Sequence, residues 1–209
     1  MTALSTVRQA SVIWGPFAAT AVAARGREVR TWEREGTRHL NRLPDALNAP
    51  LWTLMQAGSF GAPLVAAAGA IRSGRPELAR KLAGSGLTAY FLAKAVKRLV
   101  RRGRPSGLVT GLRVRGRPAS GDGFVSGHAA VAMALACEAF QSLGTAAWPL
   151  PVLVAPLVGT ARVYVGAHLP LDVLGGAALG WAVSRSVAAI RPPDPHLQFC
   201  VPERAWPDQ

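Results

Sequence analysis

The chain has 209 residues, half of them hydrophobic, and its 24 Lys and Arg against 11 Asp and Glu give a formal net charge of +13. That length suits one domain, and the lack of a helix-turn-helix, zinc-finger or RNA-binding signature argues against the nucleic-acid partner that so basic a chain would otherwise imply. The charges cluster at the ends of long apolar runs, the arrangement of an integral membrane protein that meets anionic headgroups or phosphorylated substrates.

Residues 1–45 read as an N-terminal segment. Gln9 to Ala24 is uncharged but interrupted by Gly15-Pro16, a weak first membrane helix. Arg25 to Arg42 holds six Arg and three Glu and reads as a solvated basic surface stretch. The core runs over 46–190. Ala46 to Ile71 is 26 residues without a charge, with Trp52 as an interface anchor, and is the clearest span. After a short basic turn, Leu82 opens a helix of about 18 residues that carries Lys94 and Lys97 toward its basic end. Gly103 and Pro105 stop it. Ser106 to Asp122 is a polar loop. Phe124 to Leu143 forms the next helix, and Ala146 to Val163 crosses back with Pro149, Pro151 and Pro156 to kink it. Leu171 to Ile190 is the last span, where Gly175, Gly176 and Gly180 offer close helix contact. Residues 191–209 are a Pro-rich tail. Cys137 and Cys200 set up neither a disulfide framework nor a metal cluster. The expected fold is all-α, an integral membrane helical bundle of five to six transmembrane helices.

Three segments carry ionisable groups next to apolar helices, where such groups are costly and mark function. The first is Lys97 to Arg104-Pro105. Seven residues make nearly two helical turns, so the two cations should share a face and could hold one phosphoryl group. The second is Ser126-Gly127-His128. Ser126 suits an N-cap, Gly127 lets its N–H approach an anion, and His128 could protonate a leaving oxygen. The third is Arg162 to Asp172. Asp172 lies four residues beyond His168, close enough to fix its tautomer, and Pro170 suits the first turn of a helix. His168 is then placed to attack a phosphate held by Arg162. Taken singly, each segment also fits a basic headgroup patch, an ordinary Ser cap or an interfacial ion pair. Their convergence on one face is what weakens those readings.

Together the three segments resemble the signature motifs of the type 2 phosphatidic acid phosphatase family, the lipid phosphate phosphatases. The family pattern is Lys, six residues, Arg-Pro; then Pro-Ser-Gly-His; then Ser-Arg, five residues, His, three residues, Asp. Lys97 to Arg104-Pro105 matches the first in full. The second matches except that Val125 replaces Pro, and the third except that Ala161 replaces Ser. The resemblance implies a two-step phosphoryl transfer without metal or other cofactor. In it His168 becomes a phosphohistidine, Asp172 orients its ring, and His128 protonates the leaving alcohol and then activates water. Lys97, Arg104, Ser126, Gly127 and Arg162 bind the phosphoryl oxygens. The partners so implied are a phosphorylated lipid substrate and the membrane lipids.

The function expected is hydrolysis of a lipid phosphate or pyrophosphate, such as a polyprenyl pyrophosphate, phosphatidic acid or phosphatidylglycerol phosphate. The alternatives are a lipid phosphotransferase sharing the intermediate, or a non-catalytic member that binds or transports phospholipid. The resemblance implies an active site at the extracytoplasmic face of the cell membrane. The charge count opposes this, because fifteen cations in Arg25–Arg42 and Lys94–Arg117 lie on the catalytic side against four between Arg72 and Lys81. Several of the fifteen have a catalytic reason to be there, and the outer face is retained as the expectation.

Overall fold

The structure, a computed structural model, describes residues 3–26 and 28–190; the Pro-rich tail and Cys200 lie outside them. All regular structure among the described residues is helical. The helices are α1 (Ala3–Arg25), α2 (Thr31–Asn41), α3 (Asn48–Met55), α4 (Ala62–Arg72), α5 (Pro76–Val100), α6 (Pro105–Leu108), α7 (Gly127–Leu143), α8 (Ala155–Tyr164) and α9 (Pro170–Ile190). The all-α expectation is met.

The bundle is built around α7, which packs between α5 and α9; α4 lies on α5, α1 on α9, and α8 on α7 and α9. Small residues set these distances. Ala129, Ala130 and Ala134 of α7 are fully buried. A Cβ on Gly176 would run into the Ser126 carbonyl oxygen, and one on Gly180 into that of Ala130. Only glycine permits α9 to sit so close, as small-residue helix interfaces require. Beyond this seam, Gln141 Nε2 donates to Ser184 Oγ at 2.8 Å, a polar tie between α7 and α9.

Two expectations need correction. The uncharged run Ala46–Ile71 is not one straight helix. It breaks into α3 with a 3-10 turn at Gln56–Gly58, then α4, bent by 74°. Gly58, Gly61 and Pro63 explain the break, since proline supplies no N–H and disfavours helix just before it. The stretch before it is not simply solvated: α2 buries Glu33, Thr37 and Asn41. Of the expected crossings, one helical stretch among the described residues, Gly127–Ala147, is long and apolar enough to cross a membrane, or two if the bent pair counts as one. The long helix α5 carries Arg80, Lys81, Lys94, Lys97 and Arg98 around its apolar middle. The second crossing toward the site is irregular as its prolines foretell, with a 3-10 turn at Gly144–Ala147 and a π turn at Leu150–Val154 before α8.

One consequence of the packing matters for chemistry. The C-terminal ends of α5 and α8 and the N-terminal ends of α7 and α9 meet at the same end of the bundle, and α2 lies against them, touching α8 and α9.

Candidate active site

The α8–α9 connection folds back on itself. Gly166, at φ 76°, makes the turn that favours glycine, and the N–H groups of Ala167 and His168 donate to the Arg162 carbonyl at 3.1 and 3.2 Å. Pro170 then starts α9 and Asp172 sits in its first turn. Asp172 Oδ2 accepts from the Leu169 N–H at 2.9 Å, so the carboxylate caps its own helix and carries favourable charge at the dipole's positive end. His168 and Asp172 are both buried, and His168 Nδ1 faces Asp172 Oδ2 at 3.6 Å. That is a contact just outside hydrogen-bond range, of the kind that tightens once substrate is engaged.

The other ring nitrogen, Nε2, lies 3.3 Å from Arg104 Nη1. A guanidinium only donates, so Nε2 must present its lone pair and the proton belongs on Nδ1, toward Asp172. Burial pushes the His168 imidazole down to about 3, against the upward pull of Asp172. The ring is therefore neutral, with its outward nitrogen unprotonated and accepting from Arg104.

Arg104 is itself fixed by three carbonyls, Ala167 at 2.8 Å, Ser120 at 2.9 Å and Gly121 at 3.1 Å. Lys97 Nζ donates to the carbonyls of Asp122 and Gly123 at 3.2 and 3.0 Å. The two cations do converge, though not through a continuous helix as their spacing predicted. Helix α5 ends at Val100, and Arg101 turns left-handed at φ 50°. The chain then runs as loop to Arg104, which is steered by its carbonyl partners rather than by helical phase.

Ser126 is the N-cap of α7, its Oγ accepting from the Ala129 N–H at 3.4 Å, and its own N–H donates to the Asp172 carbonyl at 2.8 Å. Gly127 and His128 follow in the first turn, both half-buried. The His128 backbone rests on Gly58, where a Cβ would meet its carbonyl oxygen. His128 lies within electrostatic reach of Lys97 and Arg162. Arg162, also half-buried, has Nη1 3.5 Å from Met55 Sδ. All eight residues expected at the site thus lie at the same end of the bundle. The two departures from the family pattern, Val125 and Ala161, are fully buried in apolar clusters, so both fill core positions. Among the described residues no three His, Cys, Asp or Glu side chains converge as metal ligands. The inventory of cations, imidazoles and a helix N-terminus suits an anion.

Sequence reasoning missed the residues beneath this site. Arg102 Nη1 donates to Asp172 Oδ1 at 2.9 Å and its Nη2 to Glu33 Oε2 at 2.7 Å, all three side chains being buried. Asn41 donates to the carbonyls of Arg113 and Tyr164 and accepts from the Arg113 N–H. Arg113 and Arg115 also pair with Asp45. The available signal was Glu33-Thr37-Asn41 at i, i+4, i+8, a polar stripe at helical spacing. A search for apolar stripes passes over it.

Between the groove-side faces of α4, α5 and α7 lies an apolar cavity of about 1010 Å³. Its lining includes Gln56 and Ala57 beside Gly58, and Ala132, one turn along α7 from His128.

The fold is that of helical-bundle phosphatases of membranes. The crystal structure of Aquifex aeolicus LpxE superposes with a TM-score of 0.68 at 23% identity, covering 74% of this chain and 93% of that one. A transmembrane PAP2 type phosphatidylglycerolphosphate phosphatase from Bacillus subtilis superposes at 0.67 with 20% identity, covering 86% and 94%. The profile of the PAP2 superfamily matches residues 78–194, and the chain belongs to that superfamily; it is a phosphatase. Among its relatives, the decaprenylphosphoryl-5-phosphoribose phosphatase of Mycobacterium tuberculosis (strain H37Rv) is 34% identical over 128 residues, 61% of this chain and 70% of the relative. The enzyme of the same description from Mycolicibacterium smegmatis is 35% identical over 119 residues, 56% and 63%.

The neutral burial of His168 has a pH signature. Its folded-state value of about 3 lies below the roughly 6.5 of an unfolded histidine. Between those limits the unfolded chain binds the extra proton, so stability falls as pH drops. In thermal unfolding in detergent, the native protein should lose more stability between pH 7 and pH 4.5 than His168→Gln, which cannot titrate.

Proposed function

We propose that this phosphatase is embedded in the membrane through five to six helices and hydrolyses a phosphate monoester carried by a polyprenyl lipid, through a phosphohistidine at His168. The observation that carries the reading is the unprotonated Nε2 of His168, held by a phosphate-binding cation, Arg104, that a bound phosphoryl group would draw away, with Nδ1 turned to a buried carboxylate. Lys97, Arg104 and Arg162, with the Ser126 hydroxyl and the Gly127 N–H, bind the phosphoryl oxygens and stabilise the charge that grows on them in the transition state. Nε2 attacks phosphorus in line, forming a P–N bond as the P–O bond to the lipid breaks. His128, protonated when the anionic substrate binds, gives that proton to the departing oxygen and is left neutral. Asp172 supports the positive imidazole ring that results. In the second step His128 takes a proton from water, the hydroxide attacks phosphorus, the P–N bond breaks, and phosphate leaves with His168 neutral again.

The substrate class draws on two further supports. The mycobacterial relatives are named for a phosphate on a decaprenyl-linked sugar. The apolar cavity reaches Ala132, one turn along α7 from His128, and its 1010 Å³ suits a long hydrocarbon tail. Decaprenylphosphoryl-5-phosphoribose is therefore the first substrate to assay. Purified protein should release phosphate from it under vanadate-sensitive conditions, with a loss of about 10⁴-fold in His168→Ala. Val65→Trp, on the exposed wall of the cavity, should raise KM for this lipid while leaving p-nitrophenyl phosphate turnover near the native value. Native protein inactive on every lipid phosphate tested would refute the reading.

The active site is assigned to the extracytoplasmic face. The opposing charge count loses weight because several of the counted cations have a place in or beneath the site: Lys97 and Arg104 sit at it, and Arg102 holds Asp172. Ser120 is exposed beside the site. A cysteine there, in a background lacking Cys137 and Cys200, should react with an impermeant maleimide added to intact cells; protection until the cells are broken would place the site inside.

A further inference from the structure

We propose that Arg102 and Glu33 are positioning residues for the phosphoryl-transfer site, acting on His168 through Asp172. The inference rests on the reading of His168 as nucleophile. Asp172 has two oxygens with separate duties. Oδ2 accepts from the Leu169 N–H and faces His168 Nδ1, while Oδ1 is held by Arg102 Nη1. Without that second anchor the carboxylate is free to turn about its terminal torsion, which is soft, and Oδ2 no longer has a fixed direction. Arg102 is in turn held from its other side: Nη2 donates to Glu33 Oε2. Glu33 is tied to the same helix it serves, because its Oε1 accepts from the Leu171 N–H at 3.3 Å in the first turn of α9. Its Oε2 also takes the Arg30 N–H at 3.3 Å, and its carbonyl accepts from Thr37 Oγ1 at 2.7 Å.

The charges are arranged to suit this role. A cation alternates with two anions in a pocket where each side chain is at most 1% exposed. One guanidinium thereby neutralises much of two carboxylates, and a planar fork is the group able to address both in fixed directions. The net negative charge left over faces the ring on which positive charge develops during transfer. Lysine could not span both partners, and glutamine would carry no charge. Glu33 lies outside residues 78–194, the stretch that matches the superfamily. The α2 helix, which precedes that core, thus contributes to the catalytic end through a residue that touches no substrate.

The test compares Glu33→Gln, Arg102→Gln and Arg102→Lys with the native enzyme and His168→Ala, all as full-length protein in detergent. Groups that orient a catalytic ligand from behind are typically worth about 10–100-fold. Glu33→Gln and Arg102→Gln should therefore lower kcat by about that factor with KM within about twofold, and Arg102→Lys should recover part of the Arg102→Gln loss. A purely structural role would instead lower the yield of folded enzyme and leave kcat per folded molecule unchanged. Native kcat in folded Glu33→Gln overturns the proposal, and this isosteric variant decides the matter alone if Arg102→Gln does not fold. His168→Ala separates the two levels: if it is inactive while Glu33→Gln is native, only the positioning role fails, whereas an active His168→Ala removes the nucleophile reading beneath it.

Discussion

The catalytic end depends on one buried carboxylate. Asp172 is fully inaccessible, and a carboxylate taken from water into a protein interior costs several kcal/mol unless it is paired and hydrogen-bonded. The fold meets that cost with the Arg102 guanidinium, the Leu169 N–H and the positive end of α9. Each compensation also fixes a piece of chain. Arg102 draws the segment after α5 inward, the Leu169 N–H shapes the loop that presents His168, and the Asp172 carbonyl holds the N-terminus of α7 through the Ser126 N–H. Removing the cation would leave a buried charge uncompensated, a loss of about 3–5 kcal/mol in comparable sites. The same contacts that make the anion tolerable assemble the site.

The helical scaffold places this chemistry at one end and lipid-compatible surface elsewhere. Close packing of α9 on α7 requires Gly176 and Gly180, and it brings Ser126 and Asp172 within hydrogen-bond range. The break between α3 and α4 has its own use. It sets the Gln56–Gly58 turn under His128 and Met55 beside Arg162, and it leaves an apolar cavity that reaches Ala132, one turn along α7 from His128. On the proposed function, neighbouring parts of the same turn would receive a phosphate at the bundle end and a hydrocarbon chain along its flank.

Much of the site was legible in the sequence because its chemistry is local. His168 and Asp172 are one helical turn apart, Ser126 to His128 are consecutive, and helix ends that bear such groups are readable from spacing and composition. The helices themselves followed from apolar runs and their Gly and Pro boundaries. What escaped reading was tertiary. The phase argument for Lys97 and Arg104 reached the right pairing by the wrong route, since carbonyl partners, not helix geometry, aim Arg104. Glu33 and Arg102 lie 69 positions apart in a charged stretch and a basic run, and nothing in hydropathy distinguishes a buried Glu from a solvated one. The uncharged run 46–71 reads as continuous because charge alone does not reveal a 74° bend.

The central claim is that phosphoryl transfer passes through the unprotonated Nε2 of His168. The most direct measurement is to mix the enzyme with ³²P-labelled decaprenylphosphoryl-5-phosphoribose, quench in alkali within a single turnover, and map the label by peptide mass spectrometry. The account predicts an alkali-stable phosphoryl group on His168 that forms and decays at the rate of turnover. Full turnover with no label on His168 at any time, or label on another residue, would contradict it.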